Sequence, residues 1–325
     1  MDKMELCDRA FNEGTFAALN EALVAGCGKD LIQRAEVFHS RQFTTIADEI
    51  ADRLDTKLVL IAGPSSSGKT TTSKRLSLHL KVIGINPIVI AMDDYFKNRE
   101  DSPKDENGQY DFECIGAMDV DFLNSQLNEL FEGREVNLPT FDFLTGKRVF
   151  NPEKTVKMRK NDIIVMEGIH GLNPALTPGI DPSNKYCIYA SILNAVTDGK
   201  VEHPENFNRL LRRMVRDSQF RGMNPIATME RWASVRAGEE KNIIPFMKYA
   251  DSYFDSGLIY ELPLFKSYVD TMLRSVPKDS SYYDISQTIL VRLFSEVASL
   301  TPTEIATIPS VSIVREFIGG SGFSY

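Results

Sequence analysis

Apolar positions recur at two different periods along this chain, and the switches between them outline a fold. Phe43, Ile46, Ala47, Ile50, Ala51 and Leu54 follow the i, i+3, i+4, i+7 spacing of an amphipathic helix. The first 56 residues read as helical, interrupted at Gly26-Cys27-Gly28. Short continuous apolar runs then appear at 57–62, 86–92, 163–166 and 185–190, each the length of a buried strand. Helical spacing returns over 70–82 with Leu76, Leu80 and Ile83 close behind, and over 118–131 with Phe122, Leu123, Leu127, Leu130 and Phe131. Residues 135–150 alternate around a turn at Leu144-Thr145-Gly146-Lys147 and predict a hairpin. Residues 249–254 and 258–260 read as the last strands, and 265–298 as one or two helices. Polar residues 97–111 form a loop long enough to be functional. The order strand, loop, helix, strand predicts an α/β fold, a parallel doubly wound sheet with right-handed crossovers.

Between the first strand and its helix lies GPSSSGKT, Gly63 to Thr70, which satisfies G-x-x-x-x-G-K-[ST]. Glycines let the backbone curl until successive N–H groups converge on phosphate oxygens. Gly63, Ser65, Ser66, Ser67, Gly68, Lys69, Thr70 and Thr71 are therefore the candidate nucleotide-binding residues. Lys69 would reach the β- and γ-phosphates, the Thr70 hydroxyl would ligate Mg²⁺, and the helix N-terminus would face the anion. With a strand before it and a helix behind it, the motif predicts that the protein binds a nucleoside triphosphate.

Acids stand at two strand ends, the edge of an open α/β sheet where ligands lie. Asp93 and Asp94 close the run at 86–92; one of them could take a proton from an acceptor hydroxyl or hold the metal's water shell, and a helix N-cap is the plainer reading. Glu167, after four apolar residues, matches a second metal-site carboxylate. His170 is read as a structural histidine. Farther on, Arg209, Arg212, Arg213 and Arg216 share one helical face, with Arg221 at its end. Such a cluster calls for phosphates or for an acidic patch elsewhere in the chain.

Composition narrows the classes. A net charge of −8 argues against broad nucleic-acid binding. Cys7, Cys27, Cys114 and Cys187 are too scattered for a zinc site or a disulfide framework and suit a reducing compartment. No apolar run reaches a membrane span, and no signal segment opens the chain, so the expected location is the cytoplasm.

The ordered set GPSSSGKT, MDDYF, DFECIGAMD, PTFDFLTGKR, VMEGIHGL and RLLRRMVRDSQFRG resembles the uridine kinase and phosphoribulokinase family. It is most similar to bacterial members whose kinase portion follows domains like those of threonyl-tRNA synthetase. The resemblance runs from about Arg41 to the C-terminal EFIGGS, and the longer relatives imply that Met1 need not be a natural start. It implies a helical arm at 1–56, a P-loop kinase domain with hairpin and helical lid at 57–300, and a tail at 301–325 that carries no motif of its own. It also implies ATP and Mg²⁺, with Asp93 activating the acceptor and Glu167 near the metal alongside Thr70 and Asp93. Lys69, Arg216 and Arg221 would act on the transferring phosphoryl, while Tyr95, Glu113, Phe141 and Arg213 would bind the substrate. The family's uridine kinases carry a histidine at Gly146 and a tyrosine at Phe141, so uracil-specific reading is not implied.

Three activities stay open. A kinase would phosphorylate a nucleoside or related polyol. A regulatory ATPase or GTPase would hydrolyse nucleotide, although Asn184-Lys185-Tyr186-Cys187 lacks the aspartate of a guanine-reading N-K-x-D. A binding module would have kept the fold and lost the chemistry, which the intact Lys69, Thr70, Asp93 and Glu167 oppose. Whether the chain forms a homo-oligomer is not written in the sequence.

Overall fold

The computed structural model describes residues 2–104, 108–198 and 204–324. Three helices come first, α1 (Lys3–Glu13), α2 (Phe16–Val24) and α3 (Gly28–Asp52). A capping box between Asp2 and Glu5 starts α1, and left-handed Gly14 ends it. Strand β1 (Leu58–Ala62) is buried at every position and leads through the glycine-rich loop into α4 (Lys69–Val82). Strand β2 (Asn86–Ala91), helix α5 (Val120–Phe131) and the antiparallel pair β3 (Glu135–Asp142) and β4 (Lys147–Lys157) follow. The chain then runs through β5 (Asp162–Glu167), β6 (Lys185–Ser191), α6 (Pro204–Arg221), α7 (Pro225–Asn242) and β7 (Ser252–Asp255). It closes with α8 (Glu261–Arg274), α9 (Tyr283–Glu296) and two single turns, α10 (Pro302–Ile305) and α11 (Arg315–Ile318).

The main sheet is parallel, in the order β2-β5-β1-β6-β7. Its central strands are the uninterrupted apolar runs because helices cover both faces. Pro87 sits in β2, an edge strand, where its missing N–H breaks no ladder bond. Register places Glu167 opposite Ile61 on one side and Ala91 on the other, so the carboxylate stands beside the mouth of the phosphate loop.

One reading of the sequence is corrected, and one helix was not read from it. Residues 258–260 are no strand; Leu258 begins a turn, with Glu261 accepting from its N–H, and leads into α8. The helix α7, which the apolar pattern did not announce, follows α6 and carries part of the candidate site. The large core continues from Phe16, Leu31 and Phe43 through Val59 and Ile188 to Phe265 and Phe317, so both chain ends are built into it. Among the described residues no helix is long and apolar enough to cross a membrane.

Candidate active site

The loop between β1 and α4 is shaped by steric necessity at both of its glycines. A Cβ on Gly63 would lie 2.0 Å from the Ala190 carbonyl oxygen. Gly68 has φ +88°, and a Cβ there would meet Ile313 Cγ2 at 2.7 Å. Between them Ser66 takes the left-handed conformation, φ +59°. Arginines of α6 hold this curl from outside. Arg209 Nε donates to the Ser65 carbonyl at 3.0 Å, and Arg212 Nη1 donates to the carbonyls of Ser66 and Ser67 at 3.3 and 3.2 Å. With the carbonyls held outward, the N–H groups are left for the inner side.

Arg209 and Arg212 are thus not phosphate ligands. Both are buried and paired with acids, Arg209 with Glu239 of α7 and Arg212 with Glu261 of α8. The acidic partners expected for this helical face come from three places: Glu239 and Glu261 take its N-terminal arginines, while Arg213, Arg216 and Arg221 gather around the buried Asp217 and also face the cavity.

That cavity, about 370 Å³, is lined by Ser65, Ser66, Gly68, Lys69, Thr70, Asp93, Glu113, Glu167, Arg213, Arg216 and Arg221, with Phe96, Phe112, Val235 and Ile243 as apolar walls. Arg213 Nη1 donates to Ser65 Oγ at 2.8 Å, and Thr70 Oγ1 donates to Glu167 Oε1 at 2.9 Å. Lys69 Nζ turns back onto the Pro64 carbonyl at 3.1 Å. Burial pulls its ammonium below the usual lysine range, while Glu167 and Asp93 act the other way. Burial raises the Glu167 carboxyl to about 7, opposed by Lys69. Asp93 is reachable from the cavity, but its concave surroundings strip water from it and push its carboxyl up, against the pull of Lys69. Glu113 packs beside Gly238 of α7, where a Cβ would come within 3.4 Å of its Cγ; burial raises it too, and Lys69 and Arg213 counter this.

Some expected site residues lie elsewhere. Tyr95 is fully buried, its hydroxyl donating to Gln126 Oε1 at 2.8 Å, because the 3₁₀ turn after β2 points it into the core. Phe141 packs edge-on against Phe96 in the same core; its backbone N–H donates to Asp94 Oδ1 at 2.9 Å and fixes that carboxylate, while Phe96 and Phe112 supply the aromatic walls. Neither Tyr95 nor Phe141 lines the cavity, so the reading of both as substrate-binding residues is corrected. His170 is buried outside the cavity, its pKa lowered to about 4 by desolvation. Thr71 does not open into the cavity either; its N–H and hydroxyl both donate to Glu316 from the C-terminal tail. The sequence attached no role to Glu316, the first residue of the C-terminal EFIGGS, which lies 245 positions away.

The donor set suits a polyphosphate with a divalent cation. Buried Ser66 Oγ, Ser67 Oγ and Arg216 Nε have no hydrogen-bond partner. Among the described residues no three side chains of His, Cys, Asp or Glu are grouped to hold a metal unaided. A threonine and one carboxylate are enough protein ligands for Mg²⁺ when substrate phosphates and retained waters supply the remaining oxygens.

The model of the Phosphoribulokinase / Uridine kinase family matches residues 58–184, from β1 to the turn before β6. The uridine kinase of Staphylococcus aureus strain JH9 is 30% identical over 204 residues, which is 62% of this chain and 88% of that protein. This chain belongs to the phosphoribulokinase / uridine kinase family. Among solved structures, a Bacillus stearothermophilus protein described as a "Possible Uridine Kinase" is 24% identical, with 64% of this chain and 100% of that one covered and a TM-score of 0.39. D-glycerate 3-kinase from Cryptococcus neoformans is 11% identical, with 77% and 87% covered and a TM-score of 0.28. As a member of this kinase family the chain is a phosphotransferase with an alcohol acceptor.

Proposed function

We propose that this kinase transfers the γ-phosphoryl of ATP to a hydroxyl of a nucleoside or a related polyol. The observation that carries the reading is the meeting of Asp93 with Lys69, Thr70 and three arginines in one small cavity that also holds Glu113. Phosphate-binding donors alone would suit any nucleotide hydrolase; an acid at the end of β2, two strands from the loop-bearing β1, gives an acceptor alcohol its base. The guanine-reading alternative is disfavoured by position, because Asn184 and Lys185 lie at the start of β6, the opposite end of the sheet from the loop.

In this mechanism the loop's N–H groups and Lys69 grip the phosphate chain. Asp93 accepts the acceptor's proton as its oxygen attacks in line, and its raised pKa suits that task. Arg213, Arg216 and Arg221 offset charge on the transferring group, and Glu113 offers a carboxylate to vicinal hydroxyls of the acceptor. Bound Mg²⁺, held by Thr70 and Glu167, would supply neutralising charge to the β- and γ-oxygens.

Uracil reading finds little support in the hairpin. Gly146 has φ +70°, and a Cβ there would sit 2.8 Å from Arg99 Nε, so a histidine would not enter this turn without strain. The decisive experiment is ADP release with ATP, Mg²⁺ and a panel of nucleosides, sugars and other polyols. A kinase is stimulated by its acceptor; indifference to every acceptor would favour a nucleotide-driven regulator. Asp93→Asn is expected to cut turnover by about 10²-fold or more while ATP still binds. Near-normal turnover in that variant would remove Asp93 from the mechanism.

A further inference from the structure

The tail packs Ile313 beside Gly68 and sets a charged side chain, Glu316, against the helix that follows the phosphate loop. Ile313, Val314 and Phe317 are fully buried, and Tyr260 OH lies 3.1 Å from Ser312 Oγ, so the root of the segment is fixed. From that root α11 projects Glu316 onto the first turn of α4. Its Oε2 accepts from Thr71 Oγ1 at 2.7 Å and from the Thr71 N–H at 3.3 Å, while its Oε1 lies 3.9 Å from Arg216 Nη1. The N–H groups opening a phosphate-loop helix are the donors this motif offers to an anion. Here the anion is supplied by the chain itself.

Two further observations point the same way. Glu316 lines the same cavity as Lys69, Asp93, Glu113 and Glu167, adding a further carboxylate to those around one ammonium. Arg216, meanwhile, is held only loosely, since its Nε is buried with no hydrogen-bond partner and its contacts to Glu316 and Asp217 are both 3.9 Å. A polyphosphate entering the loop would meet Glu316 as a like charge on the donors it needs, and displacing that carboxylate would free Arg216.

We infer that Glu316 is an internal stand-in for a nucleotide phosphate, so that the C-terminal segment competes with ATP for the N-terminus of α4. This rests on the nucleotide reading of the same site. Only the Glu316 side chain has to leave Thr71, while Phe317 and Ile318 stay buried. Gly319 and Gly320, at φ +86° and +71°, follow α11 directly and leave the backbone beyond them free to shift as it does so. The state of the tail and the occupancy of the loop are thereby linked, each opposing the other.

Calorimetric binding of a non-hydrolysable ATP analogue with Mg²⁺, to the full chain and to Glu316→Gln and Glu316→Ala, tests the inference. Both variants are expected to bind more tightly, the alanine by about tenfold, the scale of a lost hydrogen bond to a charged group. Amide exchange over 319–324 in the unaltered protein is expected to speed up when the analogue binds. Affinity unchanged within about twofold or weakened, or exchange that slows, overturns the inference and makes Glu316 a supporting wall of the site. If neither the unaltered chain nor the variants bind the analogue, the nucleotide reading itself fails. Tighter binding in Glu316→Gln with an unchanged melting temperature excludes a general loosening of the fold as the cause.

Discussion

Glu167 shows how one side chain can serve ligand binding at the expense of the ligand-free fold. Burial raises its carboxyl to about 7; Lys69 and the Thr70 hydroxyl favour the charged form, and Asp93 and Glu316 oppose it. A pKa raised on folding means that the folded chain holds a proton the unfolded chain releases. The resulting stabilisation is complete below the unfolded value near 4.5 and is lost as pH rises through about 7. At pH 8 the ligand-free protein therefore carries an unfavourable buried charge that a divalent cation would relieve. Glu167→Gln is expected to raise the melting temperature at about pH 8 and to do so much less at about pH 5.5, while turnover falls sharply. Equal shifts at the two pH values, measured by thermal unfolding without ligand, would show that the carboxylate is not the cause. The acids at 93 and 167 were legible in the sequence because a strand-end position is fixed by the apolar run before it. Tyr95 was not, since whether a side chain after a strand faces cavity or core depends on the phase of a short turn, and Phe141 was not, because it lies within β3 and which face of that strand meets the core depends on how the hairpin packs.

At the scale of an element, α6 places two jobs on one face. The spacing of Arg209, Arg212, Arg213 and Arg216 was legible, and so was their need for anions; which arginine meets which anion depends on how far α7 and α8 reach over the helix. Glu239 and Glu261 take the first two; Arg213 pairs with the buried Asp217, Arg216 only approaches it, and both line the cavity. Two substitutions should separate these jobs. Arg212→Met would leave Glu261 buried with its main counter-charge gone and release the Ser66 and Ser67 carbonyls. A loss of about 3–5 kcal/mol is expected from urea unfolding. Arg216→Met removes a loosely held guanidinium, and is expected to leave unfolding nearly unchanged while reducing turnover by ~10²-fold, the scale of a lost charge-stabilising donor. If both variants lose stability alike, α6 is a structural helix throughout and no part of it acts as a phosphate clamp.

At the scale of the whole molecule, the sequence marked the sheet but not the joining of the two chain ends, because those contacts pair residues more than 200 positions apart. Gln42 bonds Asp255 in both directions, Tyr260 donates to Glu36, and His39 Nε2 meets the Gly257 carbonyl at 3.0 Å. Periodicity predicts that α3 has a buried face and says nothing of what covers it. His39 lies fully buried at this junction, its ring against Phe254, and Nδ1 has no partner. Desolvation lowers its pKa to about 3, helped by the positive charge of Arg75, so in the fold it is a neutral ring donating from Nε2. The sign is therefore opposite to that of Glu167. The unfolded chain takes up a proton at His39 below about 6.5 and the folded chain does not, so this stability is present above 6.5 and is lost as pH falls toward 3. His39→Gln can keep the donor to Gly257 and removes the titration. Measured by urea unfolding, the stability difference between the two proteins should shift in favour of the variant by about 3 kcal/mol between about pH 7.5 and pH 4.5. Because both proteins retain Glu167 and His170, their contributions cancel in the difference. A difference that does not change with pH would mean that the ring at position 39 is protonated in the fold, and that the junction between α3 and the turn after β7 opens to water.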